Sequence, residues 1–474
     1  MHASESDAEM AELTLDCLVC IFSYLNAEQL LVSATVCKVW NEAADASQLW
    51  RRMCMRRWTF CNIANLIPGM QTWKKYYLHR SQLEHQMTSG RGATDYTCKT
   101  MRGHDGHIVA MAYLSENEHE FESGTTFVSV VCTASTDRTI RAWNIQEGSQ
   151  LWSSPVQQEG LSQMIAMPQE KLVLSSDIKG TIKVWNGQLG EELASFSTNT
   201  SKCVMVAYTL NGNTFLSAGI AGGIVYTLAV PALNEISRER VYTDDGIDLL
   251  LCSPDKQWIV AAKLYDLNQL PKIFCRDSLT NPTKDEPTIS SSLPINGCVA
   301  ACWLPTEAAR IAVINRDQEC TITTLNIMAK KYRYKTEIIV EQIARFALTR
   351  TGASTLYIQG HGAETLLLAS GTELYLYSIS GSKLASFKDH TEDITSICVD
   401  PFRVITSSMD LSLRVYTWKT ENKMYSLTSR YHLLGGSHRF SRRIASVACD
   451  FVSIATTVDG TDEKSILRAY SFNI

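Results

Sequence analysis

No stretch of the 474 residues approaches the ~18–20 uninterrupted apolar positions that a membrane-crossing helix requires. The opening segment, MHASESDAEM, is polar and acidic and lacks the apolar centre of a secretory leader. Both absences predict a soluble, intracellular chain, cytoplasmic or nuclear, with no membrane partner. No basic run is long enough to mark nuclear import. Positive charge is not in surplus either, since the formal net charge is −5. Nucleic-acid backbones demand concentrated positive charge, so no nucleic-acid partner is expected.

Catalytic signatures are missing as well. There is no phosphate-cradling glycine loop, no paired histidine ligand set and no nucleophile elbow. The run Gly219-Ile220-Ala221-Gly222-Gly223 is too short and wrongly placed for a dinucleotide loop. The expectation is a non-enzyme with no catalytic residues, no cofactor and no metal. Cysteine, by contrast, is plentiful: 15 residues, an odd number, scattered without a framework. In a reducing compartment most act as small buried hydrophobes. Cys17 and Cys20 form a C-x-x-C that by itself reads as a redox pair or half a zinc site. No second pair follows at a suitable distance, and both sit in an apolar helical pattern, which favours buried or interface cysteines. Cys298 and Cys302 are read the same way.

At 474 residues, more than one core is expected. Near the front, Leu18, Ile21, Phe22 and Leu25 recur at helical spacing, and Leu30, Leu31, Ala34 and Val36 continue after Asn26. Asn26, with Glu28 and Gln29 behind it, is a helix N-cap signal. Trp40 and Leu49-Trp50 add bulk, and Trp40 is expected to be largely buried. Two or three short helices in some forty residues bury too little by themselves and must lean on something else.

The landmarks Leu13-Thr14, Ile21-Phe22-Ser23-Tyr24-Leu25, Leu30-Leu31, Val36-Cys37-Lys38-Val39-Trp40 and Leu49-Trp50 stand in the order of an F-box. The segment resembles that motif, with Thr14 where the family usually carries proline. The resemblance implies that the segment docks the Skp adaptor through Leu13, Thr14, Leu15, Leu18, Ile21, Phe22, Leu25, Leu30, Leu31, Val36, Cys37 and Trp40. Loss of the proline would remove a fixed φ near −65° and some apolar contact. Residues 51–96 mix basic and aromatic groups, as in Arg56-Arg57-Trp58 and Trp73-Lys74-Lys75-Tyr76-Tyr77. Such mixing suits single-stranded nucleic acid, but a helical linker with inward rings and covering Arg and Lys stems is favoured. Trp73, Tyr77 and Arg80 share one helical face and resemble the linker of F-box/WD-repeat proteins. Residues 85–96 read as a hinge.

The rear is repetitive. TASTDRTIRAWN (133–144), LSSDIKGTIKVWN (174–186) and LSAGIAGGIVYTL (216–228) place Trp143, Trp185 and Thr227 in one slot, 42 residues apart. Weaker returns are PKIFCRD (271–277), CTITTLN (320–326), ELYLYSIS (373–380), SSMDLSLRVYTW (407–418) and SILRAYSFNI (465–474). Short β-branched and aromatic runs between Gly/Ser/Asp turns are strands. This period, with its Trp-Asp-like ending, resembles WD-repeat propellers. Eight strand-ending slots predict eight blades, or seven if one middle unit is an insertion. Tyr96–Arg102 is expected to supply the last blade's fourth strand and close the ring.

The fold expectation is therefore a small helical F-box with linker helices, followed by an all-β WD-repeat β-propeller. Its boundaries are a disordered 1–9, a box at 10–55, a linker at 56–95 and a propeller at 96–474. In the propeller family a loop His, a turn Asp, a Ser/Thr and the Trp form a buried chain within a blade. The matching positions are His104 or His107, Ser135, Asp137 and Trp143 in unit one, and His390, Ser408, Asp410 and Tyr416 in unit seven. Unit two has Trp185 but Lys179 in the Asp slot. The likeness to F-box/WD-repeat proteins implies a substrate-recognition subunit of an SCF-type ubiquitin ligase. Its partners are the Skp adaptor, through it cullin and RING subunits, and a protein substrate read by exposed turn residues: Arg138, Lys179, Arg316 and Met409. Arginines there would suit a phosphorylated or acidic segment. Thr14 and the degenerate middle repeats also allow a WD-repeat scaffold with weakened or lost ligase coupling.

Overall fold

The computed structural model describes residues 13–57, 72–92, 95–115, 128–201, 203–243, 245–283, 287–332, 336–348, 355–421 and 424–472. The expected disorder of residues 1–9, and positions 58–71 of the expected linker, lie outside the described residues. The chain forms two compact units, one up to Met87 and one from Thr88 to Phe472.

The first unit is helical: α1 (Leu15–Phe22), α2 (Ala27–Ser33), α3 (Lys38–Ala44), α4 (Ser47–Arg57) and α5 (Trp73–Ser89), whose last turn runs on into the second unit. Asn26 caps α2 through a reciprocal pair. Its side chain accepts from the Gln29 amide at 2.9 Å, and the Gln29 side chain accepts from the Asn26 amide at 2.9 Å. Leu18, Phe22, Leu30, Leu49 and Trp50 build one core with Trp73 and Tyr76 of α5. Trp50 is fully enclosed, and its indole N–H donates to the Ala44 carbonyl at 2.7 Å. Trp40 is only half-buried, edge-on to Phe22 at 5.4 Å. The expected core tryptophan is thus ten residues later, because α3 turns Trp40 toward the rim while α4 points Trp50 inward. The basic groups of the connector cover rings as expected: Arg57 lies over Tyr77 at 5.6 Å and Arg51 over Trp73 at 5.9 Å. The hinge expected from residue 85 begins later, since α5 stays helical to Ser89.

The second unit is eight four-stranded antiparallel sheets. Seven run in simple sequence order. The first blade is Ile108–Tyr113, Val130–Ser135, Ile140–Asn144 and Ser149–Ser153. The seventh is Ile394–Val399, Arg403–Ser408, Ser412–Glu421 and Met424–Leu434. The eighth takes three strands from the C-terminal end of the chain, Ser441–Cys449, Ser453–Gly460 and Ser465–Phe472, and its fourth from Tyr96–Met101. That strand pairs antiparallel with Ser465–Phe472, from Tyr96 opposite Phe472 to Met101 opposite Leu467. The blade count is eight, and the closing strand is the one expected. The apolar core is distributed between neighbouring blades. Cys132, Ile140 and Trp152 of the first blade, for example, pack with Met164, Val173 and Trp185 of the second.

Blades one and seven carry the buried polar chain, with a different hydroxyl from the one expected. His104 Nδ1 contacts Asp137 Oδ2 at 2.7 Å and Nε2 contacts Thr133 Oγ1 at 2.8 Å. The Trp143 indole N–H donates to the same Thr133 oxygen at 2.9 Å. Ser135 instead accepts from the Asp137 amide at 3.1 Å and braces the turn. Blade seven repeats this: His390 reaches Asp410 at 3.0 Å and Thr406 at 2.8 Å, while Ser408 accepts from the Asp410 amide at 3.1 Å. Thr133 and Ser135 are two apart on one strand and face the same side, so only the register decides which is bonded. Blade two keeps a shortened version. The Trp185 indole donates to Ser175 at 2.9 Å, and Lys179, in the Asp slot, forms an ion pair with Glu159. Its turn is held by Asp177, which accepts from the Lys179 and Thr181 amides at 2.9 and 2.8 Å.

Two predictions follow from this packing. Trp50→Ala removes an enclosed indole and should destabilise the helical unit by about 3–5 kcal/mol, whereas the half-buried Trp40→Ala should cost less; chemical denaturation of both variants compares them. Burial works to raise the Asp137 carboxyl, but bonds from His104 and Thr139 and the Asp105 amide outweigh it and hold the carboxyl below its usual range. A depressed folded-state pKa gives stability that is complete above the unfolded value of about 4 and is lost as pH falls through the lower folded value. Asp137→Asn should therefore lower stability at pH 7 by roughly 1.5–3 kcal/mol. The gap from wild type should shrink in melts taken below about pH 4.

Candidate docking surfaces

The helical unit leaves much of its apolar side chain outside. Leu13, Leu15, Ile21, Tyr24, Val32, Val36 and Val39 are all exposed, Tyr24 at 85%. These come from α1, its lead-in, α2, α3 and the turns between them. An exposed apolar group of this size on so small a unit marks a contact surface. The twelve expected docking residues divide by helical face. Leu18, Phe22 and Leu30 are buried in the unit's own core and present nothing outward. Leu25, Leu31 and Trp40 are half-buried at the rim. Leu13, Thr14, Leu15, Ile21, Val36 and Cys37 are exposed. Tyr24, Val32 and Val39 belong to the exposed apolar set and lie outside the twelve. Their signal is the same helical spacing read on its outer face, where an apolar residue has no core to explain it.

Thr14 occupies the position of the family proline in a proline-like conformation, with φ −61° and ψ 156°. It caps α1, its hydroxyl accepting from the Cys17 amide at 3.4 Å. Cys17 and Cys20 are exposed on α1 and Cys37 is exposed just before α3. Among the described residues no group of three or more His, Cys, Asp and Glu is arranged to hold a metal. Among them, too, no helix is long and apolar enough to cross a membrane.

On the propeller, Arg138, Lys179, Arg316 and Met409 all lie where the second strand of a blade gives way to the third, in blades one, two, five and seven. Antiparallel alternation puts these four turns on one face of the ring. All four side chains are exposed. They hold different places within their turns. Arg138 follows the turn Asp and takes a left-handed backbone, φ +69°, as does Leu411 after Asp410, φ +61°. The matching residue in blade two is Gly180, φ +74°. A non-glycine residue there carries roughly 1–2 kcal/mol of backbone strain. Lys179 is engaged by Glu159. A neighbouring loop on this face, between blades seven and eight, carries no repeat signal in the sequence. It holds out Phe440, 66% exposed, under the guanidinium of Arg439 at 5.4 Å. Arg316 lies in sequence between Asn315 and Asp317, which line a polar cleft with Asn296, Thr323, Gln342 and Arg345. In blades one and two the strand position matching Thr323 of this cleft carries Arg141 and Lys183, which bond to the outer strand at Gln150 and Glu192.

Known proteins match both units. The F-box-like family model matches residues 15–56, and the model described as WD domain, G-beta repeat matches residues 96–144 and 381–417. The chain is 33% identical to F-box/WD repeat-containing protein 12 of Homo sapiens, over 96% of this chain and 97% of that one. It is 28% identical to F-box/WD repeat-containing protein 15 of Mus musculus over the same shares. Among solved structures, the computationally designed Ika8 protein superposes with a TM-score of 0.57 at 15% identity, covering 79% of this chain and 99% of its own. That likeness concerns the fold alone. With a box at its front, a ring of WD repeats behind it and a relative matched end to end at this identity, the chain belongs to the F-box/WD-repeat family.

Proposed function

We propose that this chain is the substrate-recognition subunit of an SCF-type ubiquitin ligase. The observation that carries the proposal is the exposed apolar surface of α1 to α3, which a helical unit this small has no internal use for. In this reading that surface docks the Skp adaptor, and the adaptor brings the cullin and RING subunits. The propeller face that carries Arg138, Lys179, Arg316 and Met409 binds the protein substrate. The chain performs no bond chemistry of its own. It contributes proximity, holding a substrate lysine near the charged ubiquitin carrier so that an encounter becomes near-intramolecular. The exposed arginines of the face suit an acidic or phosphorylated segment through paired N–H contacts.

The adaptor surface is tested by Ile21→Asp combined with Tyr24→Asp. Both side chains are exposed, so the melting temperature should hold while co-purification of adaptor and cullin from cells is lost. Retention of the adaptor by this variant overturns the assignment of the surface. A stable wild-type chain that captures neither adaptor nor cullin favours the scaffold reading. The substrate face is tested by Arg138→Gly, which removes the guanidinium and relieves the left-handed strain at that residue. Stability should be equal or higher, and affinity for a phosphorylated ligand should drop by about 1.5–3 kcal/mol, the value of a charge-assisted hydrogen bond. Unchanged binding removes Arg138 from the face.

A further inference from the structure

We infer that Cys398 and Cys449 form an oxidisable dithiol at the seam between blades seven and eight, a site at which a small peroxide closes a disulfide across two innermost strands. Cys398 lies on Ile394–Val399, the innermost strand of blade seven, and Cys449 ends Ser441–Cys449, the innermost strand of blade eight. Their sulfurs are 3.4 Å apart. A disulfide needs about 2.05 Å, so the two sulfurs must close by roughly 1.3 Å.

Two charged groups, Arg403 and Asp400, act on both thiols. Arg403 is almost wholly buried beside the pair. Its Nε donates to Asp400 Oδ2 at 2.9 Å and its Nη2 to the Asp450 carbonyl at 2.5 Å. Its Nη1 has no hydrogen-bond partner among the described residues. A buried cation with a spare donor favours an anion nearby. Asp400 Oδ2 lies 3.4 Å from the Cys449 sulfur and opposes negative charge on both thiols, while Arg403 favours it on both. With the Cys449 S–H turned to the Cys398 sulfur, the pair divides the roles. The bond to Cys449 outweighs burial and draws the Cys398 thiol below its ordinary value, while the same bond and burial raise Cys449. Other buried cysteines behave differently: burial pushes the thiols of Cys132, Cys298 and Cys302 up to about 12.

The chemistry balances without any further group. The Cys398 thiolate attacks one peroxide oxygen and the O–O bond breaks. The departing hydroxide takes the proton Cys398 had released and leaves as water, and Cys398 becomes a sulfenic acid. The Cys449 sulfur then attacks the Cys398 sulfur. The S–S bond forms, the S–O bond breaks, and the hydroxyl departs with the Cys449 proton as a second water. Two thiols lose two electrons and two protons, and one peroxide is reduced to two waters. The product staples the closing blade to its neighbour.

The test uses the purified full chain under native conditions, exposed to graded hydrogen peroxide, quenched with a maleimide and digested for mass spectrometry. The expected result is loss of two free thiols and a cross-linked peptide pair joining Cys398 to Cys449. It should be reversed by dithiothreitol and should form before Cys132, Cys298 or Cys302 reacts. In Cys449→Ser the chemistry should stop at the sulfenic acid, which dimedone captures on Cys398; in Cys398→Ser no adduct should form at Cys449. The proposal is overturned if both residues are recovered as free thiols at peroxide levels that oxidise the exposed Cys17, Cys20 and Cys37. It is equally overturned if the cross-link forms only after unfolding.

Discussion

The ring depends on one pairing. Tyr96–Met101 lies against Ser465–Phe472, so strands from the two ends of the propeller complete one sheet. Without that pairing blade eight would present an open edge, a template for wrong partners. The closure is reinforced by rings. Tyr96 stands edge-on to Tyr470 at 5.7 Å and to Phe472 at 5.9 Å, and the Tyr470 hydroxyl donates to the Leu434 carbonyl at 2.7 Å. Just before the strand, Asp95 accepts from the Tyr431 hydroxyl at 2.8 Å and the Arg91 amide at 2.9 Å. Burial alone would raise the Asp95 carboxyl, but bonds from Ser89, Tyr431 and Arg91 win and lower it. The entry point of the chain is therefore fixed by a charge that stays ionised. Contacts this distant in sequence are slow to find, and such reinforcement holds them once made.

Closure also explains why the middle blades tolerate weak repeats. Each blade is gripped on both faces by its neighbours, so the apolar clusters between blades stabilise the ring even where the polar chain is missing. Blades four and five share Trp258, Ile273, Ile311, Val313 and Leu325 in one cluster. Blade five holds its turn with Asn315, whose carbonyl oxygen accepts from Thr321 and Thr323 at 2.9 and 3.2 Å. Polar chains are informative in a sequence and apolar ones are not, since Val and Ile fit any strand. The blades that look least like the family are those that rely on the less distinctive interaction.

The same contrast sets how much could be read before the structure. The Asn26 cap, the closing strand and the eight slots were legible because each rests on a local rule: a capping residue, an unpartnered strand, a spacing. Trp40 against Trp50 was not, because both fit a helical period and only the packing angle of α3 and α4 decides which is enclosed. Thr133 against Ser135 failed for a related reason: alternation fixes the face of a strand and leaves the depth along it open. Phe440 was missed because a surface aromatic in an irregular loop has no period at all. Core-facing chemistry repeats and is therefore visible; surface chemistry is bespoke to its partner.

Thr14 brings these threads together at the front of the chain. A proline at the start of a helix fixes φ and adds apolar surface. Thr14 reaches φ −61° without the ring and adds a hydroxyl cap on α1 in exchange. The conformational part of the proline's role is thus met by other means, at the cost of greater freedom in the unfolded chain. The apolar part is not met, yet Leu13, Leu15 and Ile21 remain exposed around it. One polar position among many leaves the surface as a whole apolar. In the proposed docking role, the loss at Thr14 would tune affinity at this surface more than abolish binding, since burial of apolar area is roughly additive over the residues that remain.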